Sequence, residues 1–312
     1  KSWIDAGLQP RAMTRDGEWG VKVPLKDAEG KVLYVWFDAP IGYISATKQW
    51  AKDNGKSWEL YWKDSDTRLI HFVGKDNIVF HCIIFPVMLH MHGDYIVPVN
   101  VPANEFLNLE GYKMSTSRKW SVEMHEYLHD FPGKADELRY VLCSIAPETK
   151  DSEFTWKGFQ DAVNNELVAI FGNFVNRTWV LMHKLCKGKV PTLQEALWDD
   201  DDRFVIEQIQ RCKYGVEDLL ESFKFREALF DIMDLARKGN QYMQKKEPWI
   251  VAKKLGEQPE LQQQIDNTMH LCLQLCANLA IYINPFLPNT AKKMLHMMKV
   301  VRSEEHTSEL QS

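Results

Sequence analysis

Two hydrophobic rhythms divide the chain. From residue 161 onward apolar side chains recur every three or four positions, and Val163, Leu167, Ile170, Phe174, Leu181 and Leu185 mark one face of a long helix. The same spacing predicts helices over about 203–222, 225–246 and 260–284, and a last one over 287–300, with Pro285 and Pro288 at the final junction. Such helices pack as a bundle. The first third reads differently. Leu33-Tyr34-Val35-Trp36-Phe37 and Leu69-Ile70-His71-Phe72-Val73 are short apolar and aromatic runs that suit buried strands of a parallel sheet. Asp94-Tyr95-Ile96-Val97-Pro98 opens another predicted strand region, and helices are predicted over roughly 41–53 and 77–92. Alternating strands and helices predict an α/β sheet with its ligand at the strand carboxyl ends. After about residue 120 the strands are expected to stop, and 121–160 reads as short helices and connectors. The expected fold class is α/β followed by an all-α helical bundle.

Composition narrows this picture. A chain of 312 residues, 45% hydrophobic and 26% charged, suits one large or two ordinary soluble domains. The formal net charge of -5 gives no overall basic field, so nucleic-acid binding would fall to a local patch. Eleven tryptophans can build core or stack on bases. None of the six cysteines forms a Cys-x-x-Cys pair, which argues against zinc and thioredoxin-like chemistry; Cys272 and Cys276, on one helix face, are expected as core thiols. Cysteine usage fits a reducing cytoplasm, and no signal peptide or membrane-spanning apolar stretch is read. The acidic run Asp199 to Asp202 is read as a solvated cap for the next helix, favoured by the helix dipole. Lys1 is not an initiator methionine, and Arg302 to Ser312 breaks the helical pattern and is read as a non-native tail.

The chemistry concentrates in three strings. Gly111-Tyr112-Lys113-Met114-Ser115-Thr116-Ser117-Arg118 combines a glycine, two cations and small hydroxyl residues, a composition that can close over a nucleotide triphosphate. Alone it would read as a basic surface loop. It stands in order after Val35-Trp36-Phe37-Asp38-Ala39-Pro40-Ile41-Gly42-Tyr43 and Phe72-Val73-Gly74-Lys75-Asp76-Asn77-Ile78-Val79-Phe80-His81. Together the three resemble the signatures of methionyl-tRNA synthetases, class I aminoacyl-tRNA synthetases whose nucleotide loop carries the KMSKS motif. The resemblance runs from near Trp3 to about residue 300.

That resemblance implies a partial class I Rossmann-like catalytic domain followed by an all-α anticodon-binding domain. Residues 1–120 would be the second half of the catalytic domain, 121–160 a connector against the tRNA stem, 161–301 the anticodon-binding bundle and 302–312 the tail. It places Trp36, Pro40, Tyr43, His81 and Ile84 around the methionine side chain; aromatic walls with a phenol and an imidazole suit a polarizable thioether. The strand pattern alone would make Trp36 and Tyr43 sheet-core residues. Gly74 and Asp76 match positions at the adenosine ribose, where glycine admits close backbone approach and a carboxylate accepts from hydroxyls; Lys75 is read as structural. Lys113, Met114, Ser115, Thr116 and Ser117 match the ATP loop, with Lys113 and Thr116 at the catalytic positions. Thr116 departs from the motif, which has a second lysine there; Arg118 or Lys119 would have to supply that charge. Asn173, Arg177, Pro248 and Trp249 match residues that read the anticodon, by edge hydrogen bonds and base stacking.

The implied partners are methionine, ATP with Mg2+ as substrate, and tRNA(Met), in the cytoplasm and away from membranes. The family's His-Ile-Gly-His type motif and its zinc-bearing insertion are not in this sequence, so zinc would belong to a part of the parent enzyme outside it, and the chain alone is expected to be inactive. Two rivals stand beside this reading: a non-catalytic tRNA-binding module, and a class I synthetase for another amino acid.

Overall fold

A computed structural model of the chain describes residues 2–7, 10, 12–115 and 117–299, with the side chains of Ser2, Trp3 and Trp36 outside that description. The expected tail at 302–312 also lies outside the described residues. The backbone divides into two units, Lys1–Glu105 and Phe106–Ser312.

In the first unit β1 (Thr14–Asp16) pairs antiparallel with β2 (Lys31–Leu33), Thr14 opposite Leu33. The run Leu33 to Phe37 is therefore not one strand: after Leu33 the chain turns into α1 (Val35–Asp38). A strand needs a partner backbone for its N–H and C=O groups. Tyr34 N donates to Met13 O, and then Phe37 N and Ala39 N find carbonyls within their own segment, at Tyr34 and Val35. Buried Pro40 follows, pre-set for the start of α2 (Ile41–Asp53), which matches its predicted span.

The second predicted strand is realised in part. β3 (Val73–Gly74) pairs in parallel with β4 (Ala103–Asn104), extended by a bridge from Ile70 to Asn100. Residues 94–98, expected as strand, form none; there Ile96 N donates to Trp62 O. Between lie a π-helical stretch, Phe80–Ile84, and α3 (Phe85–His92), which ends on left-handed Gly93. The core here is small: Ile44, Trp62, Phe85 and Leu89, with Trp58, Leu69 and Tyr95 packed on it.

The second unit opens with strands that the pattern did not foresee. β5 (Leu107–Leu109) turns back through Glu110 and Gly111, both at positive φ, into β6 (Tyr112–Lys113). It also pairs in parallel with β7 (Ser152–Phe154), so strands do not stop at 120. Three residues are too few to display a period of two. α4 (Met124–Asp130) and α5 (Ala135–Ser144) lie between them in sequence.

One continuous helical rod follows: α6 (Trp156–Ala162), a π-helical stretch Val163–Gly172, and α7 (Asn173–Cys186). Thr155 caps its start by accepting from Gly158 N. Next come α8 (Asp200–Glu221), α9 (Phe225–Lys246), a single turn α10 (Pro248–Val251), α11 (Gln262–Ile283) and α12 (Pro288–Met297). α7, α8, α9 and α11 bury one shared apolar core, with Phe174, Ile232, Ala236, Met269, Leu271 and Leu279 fully inside. Cys272 and Cys276 are fully buried on α11, as expected. Gly239 permits the closest approach: a Cβ there would stand 2.7 Å from the ring of Phe174. Buried Asp136 of α5 caps α12, accepting from Thr290 N at 2.6 Å and Thr290 Oγ1 at 2.7 Å.

Candidate functional site

In the first unit, α2 and the π-helical stretch bring two of the expected methionine-pocket residues into contact. Tyr43 Oη lies 3.0 Å from His81 Nε2, and His81 Nδ1 lies 3.0 Å from the carbonyl oxygen of Asn77. A carbonyl only accepts, so Nδ1 carries a proton, and in the neutral ring the Tyr43 hydroxyl donates to Nε2. His81 is buried, Pro40 is buried and Ile84 half-buried, while Tyr43 is 43% exposed. Trp36 belongs to α1, and its side chain lies outside the described residues.

His71 was not singled out by the sequence. Its ring packs 5.8 Å from Tyr43, 5.3 Å from His81 and 5.8 Å from Phe85. It is buried and its Nε2 has no hydrogen-bond partner. Burial, then the neighbouring His81, pulls its pKa below the usual histidine value, which favours the neutral ring of His71. A nearby open groove of ≈ 700 Å³ takes in His81 but not Tyr43 or Pro40; Val87, Val97 and Val99 line it.

Gly74 ends β3 in extended conformation, and nothing lies within 4 Å of where a Cβ would stand. Asp76 is the middle residue of the short turn Lys75–Asn77 after it and is exposed. Lys75, between them, pairs with Glu105.

The residues expected to form the nucleotide loop belong to the second unit. Lys113 ends β6 with its Nζ 4.6 Å from the centre of the Phe106 ring. Beyond Met114, Ser115 exchanges both backbone hydrogen bonds with Trp120 at 2.9 Å. Ser115 Oγ lies 3.1 Å from Ser117 Oγ, and Trp120 Nε1 donates to Leu109 O at 3.0 Å. Thr116 lies outside the described residues.

Farther along the second unit, the structure gathers residues distant in sequence. Asn173 and Arg177 occupy successive turns of α7, and the Arg177 guanidinium sits 5.1 Å over the ring of Trp249. Among the described residues no carboxylate pairs with Arg177. Trp249 follows buried Pro248 and left-handed Glu247, at the turn from α9 to α10.

That turn is anchored by a group read too simply in the sequence. Asp199 and Asp202 do form a capping box, but Asp202 is not solvated: it is 3% exposed. Lys246 Nζ, equally buried, meets Asp199 at 2.6 Å and Asp202 at 2.7 Å, and Tyr242 donates to Asp202 at 2.7 Å. Burial alone would raise the Asp199 carboxyl; hydrogen bonds from Lys246 and from the backbone of Asp202 and Asp201 outweigh it and hold the pKa below the usual carboxylate value. The signal available was the Lys245-Lys246 pair at a predicted helix end.

For a metal the fit is poor. Among the described residues no group of three or more His, Cys, Asp or Glu side chains could hold an ion. Burial pushes the Cys143, Cys212 and Cys276 thiols up to about 12, the reverse of what a thiolate ligand requires. Among the described residues no helix is long and apolar enough to cross a membrane.

An α/β unit, a lysine-bearing hairpin and a helical bundle together define a class I tRNA synthetase architecture. The family described as tRNA synthetases class I (M) matches residues 1–179, and the chain belongs to that family. The anticodon binding domain of methionyl tRNA ligase matches residues 190–312. Curated relatives include the methionine--tRNA ligase of Flavobacterium johnsoniae, 55% identical over 98% of this chain and 42% of its own length. That of Phocaeicola vulgatus is 57% identical over 96% of this chain and 42% of its own. Among solved structures, Mycobacterium tuberculosis methionyl-tRNA synthetase bound by methionyl-adenylate superposes with a TM-score of 0.79 at 25% identity, covering 94% of this chain and 55% of that one. The chain thus spans about 42% of the length of these curated relatives.

Proposed function

We propose that the chain supplies the methionine pocket wall, the ATP loop and the anticodon reader of a methionine–tRNA ligase in the cytoplasm. The observation that carries this reading is the Tyr43–His81 contact, with His81 Nδ1 held by the Asn77 carbonyl and the His81 ring packed against His71. A thioether carries no charge and little hydrogen-bonding capacity, so an uncharged, polarizable wall suits it and a charged one would not. Trp36, Pro40 and Ile84 complete that wall in the proposal.

The reaction has two steps. The methionine carboxylate attacks the α-phosphorus of ATP, and pyrophosphate leaves; the terminal ribose hydroxyl of tRNA(Met) then attacks the acyl carbon, and AMP leaves. No side chain forms a covalent bond, so catalysis is positioning plus charge stabilisation. Gly74 and Asp76 hold the ribose. Lys113, with Met114, Ser115 and Ser117, lies along the phosphates, whose Mg2+ arrives with ATP. Thr116 offers a hydroxyl and a backbone N–H where the motif has a charge. Asn173, Arg177, Pro248 and Trp249 read the anticodon. Residues 1–120 serve activation, 121–160 the stem and 161–301 the anticodon. Zinc belongs to a part of the parent enzyme outside this sequence.

The test is a graft. Residues 1–301 replace the aligned segment of the Flavobacterium johnsoniae ligase, and pyrophosphate exchange is assayed with methionine, leucine, isoleucine, valine and cysteine. Exchange with methionine alone is expected from the graft, and none from the chain by itself. A graft that exchanges with another amino acid, or a fragment that exchanges unaided, overturns the reading.

A further inference from the structure

We infer that Asn240 is a positioning residue for anticodon reading: it fixes the side-chain amide of Asn173 with its oxygen facing outward. This rests on the proposed role of Asn173, Arg177 and Trp249. The π-helical stretch Val163–Gly172 ends one residue before Asn173, and π-helical geometry leaves carbonyls out of the ordinary i→i−4 ladder. Asn240, on α9, gives one carbonyl of that stretch, Ile170 O, a second donor beside the Asn173 N–H. Its Nδ2 donates to Ile170 O at 2.9 Å and to Ala236 O at 3.2 Å. Both partners are carbonyls, which only accept, so the Asn240 amide has one allowed orientation. Its Oδ1 then has to face Asn173, and Asn173 has to answer with Nδ2, at 3.1 Å. The Asn173 oxygen is thereby left over. Asn173 is exposed, and no described residue donates to that oxygen.

The consequence is a fixed hydrogen-bonding pattern beside the Trp249 platform. Asn173 offers an acceptor; Arg177, one turn on, offers a fork of donors with no carboxylate to consume them among the described residues. Acceptor beside donors complements the pairing edge of cytosine, which runs amino donor, ring-nitrogen acceptor, carbonyl acceptor. Uracil presents a carbonyl where cytosine has the amino group, so an outward Asn173 oxygen opposes it. The methionine codon AUG requires the anticodon CAU, which begins with cytosine. If the Asn173 amide could turn over, it would tolerate either pyrimidine.

The experiment measures binding of the 312-residue chain to synthetic RNA hairpins carrying CAU or UAU in the loop, at one low salt concentration. Asn240→Ala, Asn173→Ala and the double variant are compared with the unaltered chain. Asn240→Ser is a second variant, because its hydroxyl can still donate to Ala236 O while being too short for Asn173. The expected result is that Asn240→Ala and Asn240→Ser reduce the preference for CAU about threefold to tenfold, the size of one neutral hydrogen bond. They should do so chiefly by improving relative binding of UAU. In the Asn173→Ala background, Asn240→Ala should change the preference no further. Equal loss for both hairpins, an unchanged preference, or additive effects in the double variant overturn the positioning role. If the unaltered chain ignores the first anticodon base, or Asn173→Ala leaves the preference intact, the anticodon reading itself fails.

Discussion

The two units solve the same problem, the satisfaction of buried backbone, by opposite means. In Phe106–Ser312 the rods close their hydrogen bonds within themselves and need neighbours only to cover apolar faces, and a deep shared core does that. In Lys1–Glu105 the parallel pair β3–β4 draws each hydrogen bond from a distant stretch, and among the described residues only four form its buried cluster. Apolar side chains stay on its surface, Trp19 at 94% and Met91 at 81% exposed. Helical structure is underwritten locally, whereas a parallel sheet is underwritten by its company. Resistance to substitution and to acid should therefore differ between the units.

The largest expected effect is at Lys246. Lys246→Ala leaves Asp202 buried without a cation, which costs about 3–5 kcal/mol. Calorimetry should show the helical unit's transition lowered by many degrees; Lys246→Met, which fills the space, should be no better, because the charge is still unpaired. A transition unmoved by either would mean that the cluster is incidental to the bundle. Next comes Trp249→Ala, expected to remove about 1–3 kcal/mol of tRNA binding, one base stack, while leaving methionine-dependent exchange of the grafted enzyme intact. Equal losses on matched and altered anticodons, with a lower melting temperature, would instead mark Trp249 as packing. Smaller again is Gly239→Ala. Helix propensity favours the change by about 1 kcal/mol, but overpacking against the Phe174 ring costs about 1–3 kcal/mol. A modest drop in melting temperature is expected, and a rise would show that Phe174 can move aside.

Acid should separate the units most gently. His71 has a pKa lowered from 6.5, first by burial and then by His81. The unfolded chain then binds more protons, so this contribution to stability is whole above pH 6.5 and is lost as pH falls through the lowered value. The Asp199 carboxyl is lowered from 3.8, so its contribution is whole above that pH and is lost only on falling through a still lower value. Hydrogen exchange corrected for intrinsic rates should show residues 69–92 losing protection at a higher pH than residues 199–246. The reverse order would contradict both assignments.

What the sequence disclosed follows the same division. α2 and α9 lie where their spacing put them, because helical periodicity acts within a few residues. The run from Leu33 failed because strand or helix there is decided by β1, whose last paired position is Thr14, and not by the run's own residues. β7 was missed for want of length. At the site, motif strings point to Tyr43, His81 and Lys113, but His71, Asn240 and Lys246 matter through neighbours that only the folded chain supplies. Asp202 shows the limit most plainly: a capping pattern was legible, and the buried cation opposite it was not.

The π-helical stretch has a consequence for how this region can vary in length. From the Thr155 cap to Asn173 the rod is continuous, so the number of residues between them sets the compass bearing of Asn173 and Arg177 around its axis. Wider turns accommodate residues that an α-helix would have carried farther round. Removing a single residue from 163–172 without rewinding the stretch would swing both side chains by nearly one residue's rotation, about 100° in an α-helix. Substitutions there change a surface, while an insertion or deletion turns a dial. Among relatives that read the same anticodon, this stretch should drift freely in residue type and hold its residue count.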